Sequence, residues 1–247
     1  MSAPTTVSPA HQLALLELQR TDTELDQART RMQALRQDAE YQRLRTEADR
    51  LQAEVQSAQE QLGTAQSAQT EAERKVSSTR EHLDRNQKRM ESGQGSAKDL
   101  QGMQHEIETL QRLVGEQEDA ELETMGAVEQ AESAHDSAQQ VHAEAEAAAN
   151  TRGRAVKAEA AQVAARGKEL TGTRQQQAAA LPADLVALYE KIRARTGGIG
   201  AARLVGNRSE ASGMGISPVE LEQIKATPAD RLAYCPDTGA ILVRDAD

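Results

Sequence analysis

The chain has 247 residues, a net charge of −10, no Trp, no Phe and three Tyr. Large apolar and aromatic side chains dominate burial energy, so a chain this poor in them does not fill an ordinary globular interior. Its Ala, Gln, Glu, Arg and Leu content is that of long helices and coiled coils, and the acidic balance disfavours non-specific attachment to nucleic acid or anionic membrane. Cys235 is the one cysteine, which excludes an intramolecular disulfide. Met1 to Ala10 lacks the basic start and apolar core of a signal peptide, and no stretch approaches the roughly 20 apolar residues of a membrane span. The expectation is a cytoplasmic protein.

Residues 1–8 are expected to be disordered. Ser8 and Pro9 then read as a helix start, Ser at the N-cap and Pro at the first helical position. Apolar residues recur at alternating spacings of three and four. The first run is Leu18, Thr21, Leu25, Ala28, Met32, Leu35 and Ala39. A second run extends from Leu44 through Leu51, Leu62, Val76 and Asn86 to Met90. Each run is a heptad seam. They differ in phase by about two residues near Tyr41, which predicts a local change of winding in one long helix. Gly93 and Gly95 mark a turn near 91–96, after which Ser96 and Asp99 form a near capping box. A second helix follows from about Ala97 to about Gln177, with Leu100, Met103, Ile107, Leu110 and Val114 opening its seam. Val128, His135, His142, Ala149, Val156, Val163 and Leu170 continue it at sevens. Its glycines, Gly115, Gly126, Gly153, Gly167 and Gly172, predict a less stable arm that packs closely on its neighbour. Two long helices joined by a tight turn bury their seams most simply as an antiparallel coiled-coil hairpin over 9–180.

Residues 181–247 form the remaining domain. Pro182 ends the long helix and opens another, Ala183 to Arg195, with Leu185, Leu188, Tyr189 and Ile192 on its apolar face. Strands are expected at Arg203–Val205, Arg231–Cys235 and Ala240–Arg244. Ser217-Pro218-Val219-Glu220 starts a helix running to about Ala226.

Cys235-Pro236-Asp237-Thr238-Gly239 has the form of a zinc knuckle whose second thiolate position is Thr238. Ser209-Glu210-Ala211-Ser212-Gly213 has the same gap and the same trailing Gly. Cysteines in place of Ser209, Ser212 and Thr238 would complete a four-cysteine ribbon. With these features the chain resembles the bacterial coiled-coil proteins that carry a C-terminal four-cysteine zinc ribbon. Further residues in the resemblance are the segment Gly95 to Gln101 with His105-Glu106-Ile107, the helix Leu188 to Arg193, and the terminal Cys235 to Arg244. It covers essentially the whole chain. It implies a mainly α fold, a long antiparallel hairpin with a small zinc-ribbon-like α+β knob. It also implies an interaction role at the hairpin tip, through Lys98, Asp99, His105 and Glu106, or at the ribbon. Members are commonly described as nucleic-acid-binding. Family members hold zinc; here the vestigial positions Ser209, Ser212, Cys235 and Thr238 keep one thiol, and hydroxyls are poor zinc ligands at neutral pH. No metal or other cofactor is expected, and the ribbon must rest on Leu204, Val205, Ile216, Leu221, Ile224, Leu232, Tyr234, Ile241, Leu242 and Val243.

Other chemistry is sparse. His135 and His142 are seven apart and cannot chelate one ion; His82 and His105 lie at similar distances from the turn and approach across it at best as a pair. No His stands near Cys235, and no phosphate loop occurs, so no catalytic residue or small-molecule substrate is expected. Glu116, Glu118, Asp119, Glu121, Glu123, Glu129 and Glu132 have no Lys or Arg between them and are expected to face Arg74, Lys75 and Arg80. From Leu181 onward nine acidic residues stand against eight basic ones, with Arg193, Arg195, Arg203 and Arg208 as candidate nucleic-acid contacts. The sequence therefore favours a non-enzymatic adaptor, monomeric or homodimeric, with a protein partner and no membrane contact. RNA or DNA binding through the ribbon is the alternative.

Overall fold

The computed structural model describes residues 6–93 and 95–244. The chain runs α1 (Pro9–Arg36), α2 (Ala39–Glu91), α3 (Ala97–Ala179), α4 (Ala183–Arg195), β1 (Ala201–Val205), β2 (Arg208–Ser209), α5 (Pro218–Ala226), β3 (Ala233–Tyr234) and β4 (Ile241–Arg244). The protein is mainly helical, a long helical hairpin with a small C-terminal sheet, as the heptad seams predict. Residues 1–5 of the segment expected to be disordered, Gln94 of the turn and 245–247 of the last domain lie outside the described residues. Val7, from that same segment, is buried and donates its N–H to the Asp230 carbonyl at 2.6 Å.

The capping residues act as their chemistry dictates. Ser8 Oγ accepts from the His11 N–H at 3.3 Å, with Pro9 at the first helical position. Ser96 and Asp99 close a reciprocal box: the Ser96 N–H donates to Asp99 Oδ2 at 3.0 Å and the Asp99 N–H to Ser96 Oγ at 3.3 Å. Ser217 caps α5 by accepting from the Glu220 N–H at 3.4 Å. One expectation changes. The single helix from Pro9 to Met90 is two helices, because the chain leaves helical geometry at Gln37 (φ −113°, ψ 31°). The phase slip between the two seams is absorbed there by a break.

Contacts group the chain into two compact units, Met1–Asp38 with Arg154–Asp247, and Ala39–Gly153. The second is an antiparallel helix pair. Glu40 meets Arg152, Arg80 meets Glu118 and His82 meets Glu106, so one chain number falls as the other rises. Its seam is the predicted one: Ala48, Leu51, Leu62, Val76 and Asn86 of α2 and Ile107, Leu110, Val114, Val128 and Ala149 of α3 are all buried. His135 and His142 are half-buried members of that seam. Among the five α3 glycines named above, close packing is confined to Gly153, where an added Cβ would lie 2.9 Å from the Tyr41 ring. At Gly115, Gly126, Gly167 and Gly172 it would meet nothing within 4 Å, so these glycines are not demanded by helix contact.

In the other unit α1 lies antiparallel to the end of α3, with Arg31 on Glu159 at 2.5 Å and Arg166 on Glu24 at 2.7 Å. The sheet has the order β2-β1-β4-β3, with β1 and β4 parallel and the other pairs antiparallel. A parallel pair needs a crossover, and the segment carrying α5 supplies it. Side chains alternate across a sheet. One face therefore gives Ala201 and Ile241 to a core with Leu15 and Leu18 of α1 and Leu185, Tyr189 and Ile192 of α4. The other gives Leu204, Ala233 and Leu242 to a second core with Ile216, Ile224 and Cys235. Two residues expected in the core are outside it: Val205 is 50% exposed and Tyr234 41%. Val205 ends β1 with no longer strand beside it, and Tyr234 lies on an edge strand. The Arg244 guanidinium donates to the carbonyls of Ile224, Thr227, Pro228 and Arg231, fastening the end of α5 to β4.

Helix propensity and steric room give opposite expectations at two glycines. Gly172→Ala, in open space within α3, raises stability by up to about 1 kcal/mol. Gly200→Ala would set a Cβ 2.5 Å from the ring of wholly buried Tyr189 and lowers stability by about 1–3 kcal/mol. Urea denaturation followed by circular dichroism reads both.

Candidate functional site

The two sequence knuckles are folded as one structure repeated. In each, the fifth residue donates its N–H to the first carbonyl: Gly213 to Ser209 and Gly239 to Cys235, both at 2.8 Å. The first N–H donates five residues on, Ser209 to Met214 at 3.1 Å and Cys235 to Ala240 at 2.8 Å. The fourth side chain accepts from the sixth N–H, Ser212 from Met214 and Thr238 from Ala240, both at 3.2 Å. Both trailing glycines have positive φ, 67° at Gly213 and 74° at Gly239, where a side chain is strained.

These turns bring Ser209, Ser212, Cys235 and Thr238 together. Ser209 and Cys235 are buried, and Cys235 Sγ lies 3.9 Å from Ser212 Oγ. Burial opposes ionisation of the Cys235 thiol. Hydrogen bonds from the Ser209 and Thr238 side chains and from the Thr238 and Asp237 backbone outweigh it, and the thiol pKa falls below its ordinary value. A tetrahedral Zn–S bond of about 2.3 Å sets ligand sulfurs about 3.8 Å apart. The spacing thus resembles a zinc site, but one thiol and three hydroxyls do not fit the ion, which selects ionised sulfur and imidazole nitrogen.

A second cluster has no counterpart in the sequence expectations. Asp22, 2% exposed, accepts from Arg174 Nε at 2.7 Å and from the Tyr189 hydroxyl at 2.9 Å, with Arg193 Nε at 3.6 Å. Arg174 also pairs with Glu190, and Arg193 with Asp26. Burial, followed by the adjacent Asp22 carboxylate, holds the Tyr189 pKa far above its ordinary value, so the hydroxyl stays a donor. Gln19, one turn earlier, accepts from the Gly200 N–H at 2.6 Å and donates to the Gly198 carbonyl at 2.9 Å. The signal was present: Gln12, Gln19, Asp22 and Asp26 recur at helical spacings beside the apolar seam of α1.

At the hairpin turn Asp99 is engaged with Ser96, which depresses its pKa through side-chain and backbone hydrogen bonds. Lys98 is exposed, and the His105 side chain is 86% exposed, 4.0 Å from Glu108. His82 faces Glu106 at 3.6 Å and not His105, because the register sets position 106 opposite 82. Of the three cations expected across from the acidic stretch, Arg80 reaches Glu118 at 2.5 Å, while Arg74 and Lys75 pair with Glu71 on their own helix.

The profile of the CT398-like coiled coil hairpin domain matches residues 18–197. The chain belongs to that family. Two uncharacterized proteins of Mycobacterium tuberculosis are 47% identical over 66 residues, and the chain spans about a quarter of the length of these curated relatives, 26%. A solved structure from Mycobacterium smegmatis aligns at TM-score 0.81 with 27% identity, over 97% of this chain and 100% of that one. CT398 from Chlamydia trachomatis aligns at TM-score 0.62 with 10% identity, over 96% of this chain and 98% of that one, a likeness of fold.

Within this CT398-like chain the four candidate arginines separate. Arg193 is committed to Asp22 and Asp26, its side chain 17% exposed. Arg195 lies against Gly239 of one knuckle and Arg208 donates to the Gly213 carbonyl of the other at 2.7 Å. Arg203 is exposed on β1. Among the described residues no helix is long and apolar enough to cross a membrane.

Removing one partner from a buried ion pair leaves the others uncompensated. Asp22→Ala lowers stability by about 3–5 kcal/mol in urea denaturation. Glu17→Ala, whose pair with Arg20 is exposed, changes it by about 0–1 kcal/mol.

Proposed function

We propose that this CT398-like protein is a non-enzymatic adaptor that binds a regulatory protein partner through its hairpin. One observation carries the reading. The seam of the helix pair is filled, yet α3 still displays Leu113, Met125 and Val141 beside it and Leu122 on the face away from it, each at least 38% exposed. Apolar side chains held out on a rigid helix that has already satisfied its own partner serve contacts with another protein. The single thiol agrees with it, hydrogen-bonded to hydroxyls and with no His near it in the sequence.

RNA binding through the ribbon is the second reading. Arg195 and Arg208 both stand on the knuckle glycines and keep their charge at the surface, with Arg203 exposed nearby in the sheet. Capture from native lysate, split into nuclease-treated and untreated halves, decides between the two. The adaptor reading expects the same proteins in both halves. Loss of those proteins with nuclease, together with recovered RNA and a steep salt dependence, replaces it with the second reading.

The cofactor proposal is none: the knuckle pair is held by its hydrogen bonds without zinc. Metal analysis of the purified chain is expected to find far less than one zinc per chain. The variant Ser209→Cys/Ser212→Cys/Thr238→Cys is expected to take up one. One zinc in the wild-type chain overturns the proposal.

A further inference from the structure

We propose that the α3 face bearing Leu122 and Met125 is the docking surface for a basic amphipathic helix of a partner protein, an inference that rests on the adaptor reading. The seam of this part of α3 passes through Val114, Gln117, Glu121, Thr124 and Val128, all buried or half-buried. Leu122 is 64% exposed and Met125 42%. Gly115, Asp119, Leu122, Gly126 and Glu129 follow one another at spacings of four, three, four and three, which places them in one stripe on the face of α3 turned away from the seam. Met125 borders that stripe.

Three properties of the stripe select the occupant. Its centre is apolar and unused by the hairpin. A Cβ added at Gly115 or Gly126 would meet nothing within 4 Å. These two positions forgo up to about 1 kcal/mol each of helix propensity without any gain in packing on α2, and they leave low ground on both sides of Leu122 where a second backbone can come close. The flanks are acidic. Asp119 and Glu129 border the apolar centre within a run from Glu116 to Glu132 that has no Lys or Arg. Glu116 is answered by Arg112 and Glu118 by Arg80 within the hairpin, while Asp119 and Glu129 stay exposed to an incoming charge. A helix with an apolar stripe edged by Lys or Arg satisfies both properties, in the manner of helices that lay an apolar face on a partner. A second copy of this face would bring like charges together, and a nucleic acid would be repelled.

The test uses the purified full chain and three labelled peptides of about 20 residues. One is a Leu/Lys amphipathic helix, one has the same composition scrambled to destroy the apolar face, and one has Glu in place of Lys. Fluorescence anisotropy is measured at about 0.15 M salt, near physiological screening. The amphipathic basic peptide is expected to bind at least tenfold more tightly than either control. Leu122→Ala/Met125→Ala and Asp119→Asn/Glu129→Gln are each expected to weaken it about tenfold, while Gln56→Ala, at an exposed position of α2, leaves it unchanged. Alanine is helix-favouring, and unchanged circular dichroism confirms that the variants fold. The inference is overturned if the scrambled peptide binds equally or if Leu122→Ala/Met125→Ala binds like wild type. It is also overturned if sedimentation shows a homodimer that the same double variant dissociates. Lysate capture separates its failure from that of the adaptor reading. Wild type and the double variant retaining the same nuclease-resistant proteins sinks this face alone, whereas wild type retaining none sinks the adaptor reading.

Discussion

The buried Asp22 carboxylate is the constraint on which the unit containing both chain ends depends. A carboxylate out of water is costly unless its charge and lone pairs are answered. Its partners come from three places in the chain: Arg174 near the end of α3, and Tyr189 and Arg193 on α4. None of these elements satisfies Asp22 alone, so α1, α3 and α4 gain from assembling together. Three residues earlier, Gln19 holds the backbone of Gly198, Gly200 and Ala201 and so fixes where β1 begins. Because Ala201 pairs with Ile241, the position of β1 also sets that of β4. One turn of α1 therefore positions the sheet, although α1 and β4 lie at opposite ends of the sequence.

The unit Ala39–Gly153 is held differently. Its ion pairs are exposed and contribute little individually. Its stability comes from the seam, and the α3 side of that seam is thin, with Ala149 and two histidines where α2 offers leucines. Such a pair has no apolar side chain to spare. The large apolar residues that α3 nevertheless holds outside the seam are then a cost in solubility without a return in folding, which is the reason for reading them as contact residues.

The long helices, their caps, the turn and the start of α4 were legible in the sequence because each is a local decision. Heptad spacing, a Ser before a Pro and a glycine pair act over a few residues. The break at Gln37 was half legible: the phase slip announced it, but periodicity alone does not say whether a helix overwinds or stops. The knuckles were legible as a pattern, and the structure brings Ser209, Ser212, Cys235 and Thr238 together. The Asp22 cluster was legible only as polar residues at helical spacings beside the α1 seam, because Asp22 is more than 150 positions from its partners and a charged residue beside a seam usually points to water. The same limit hid the commitment of Arg193, which reads in sequence as one more basic residue of the ribbon.

A small ribbon ordinarily leans on a metal because its own core is too small to outweigh the entropy of ordering the chain. Here the donors do not suit the ion, yet the two turns keep matching hydrogen bonds. Part of the explanation is local. Ser209 and Thr238 hydroxyls hydrogen-bond the one thiol, so the buried sulfur is answered. The larger part is that the sheet is not a separate small domain. One of its faces shares a core with Leu15, Leu18, Leu185 and Tyr189, and Val7 and Gln12 reach across to the Asp230 and Ala229 carbonyls of the loop before β3. A small sheet built onto α1 and α4 in this way draws its order from their burial. The two turns then keep their hydrogen bonds on a support that comes from the helices and not from their own small core.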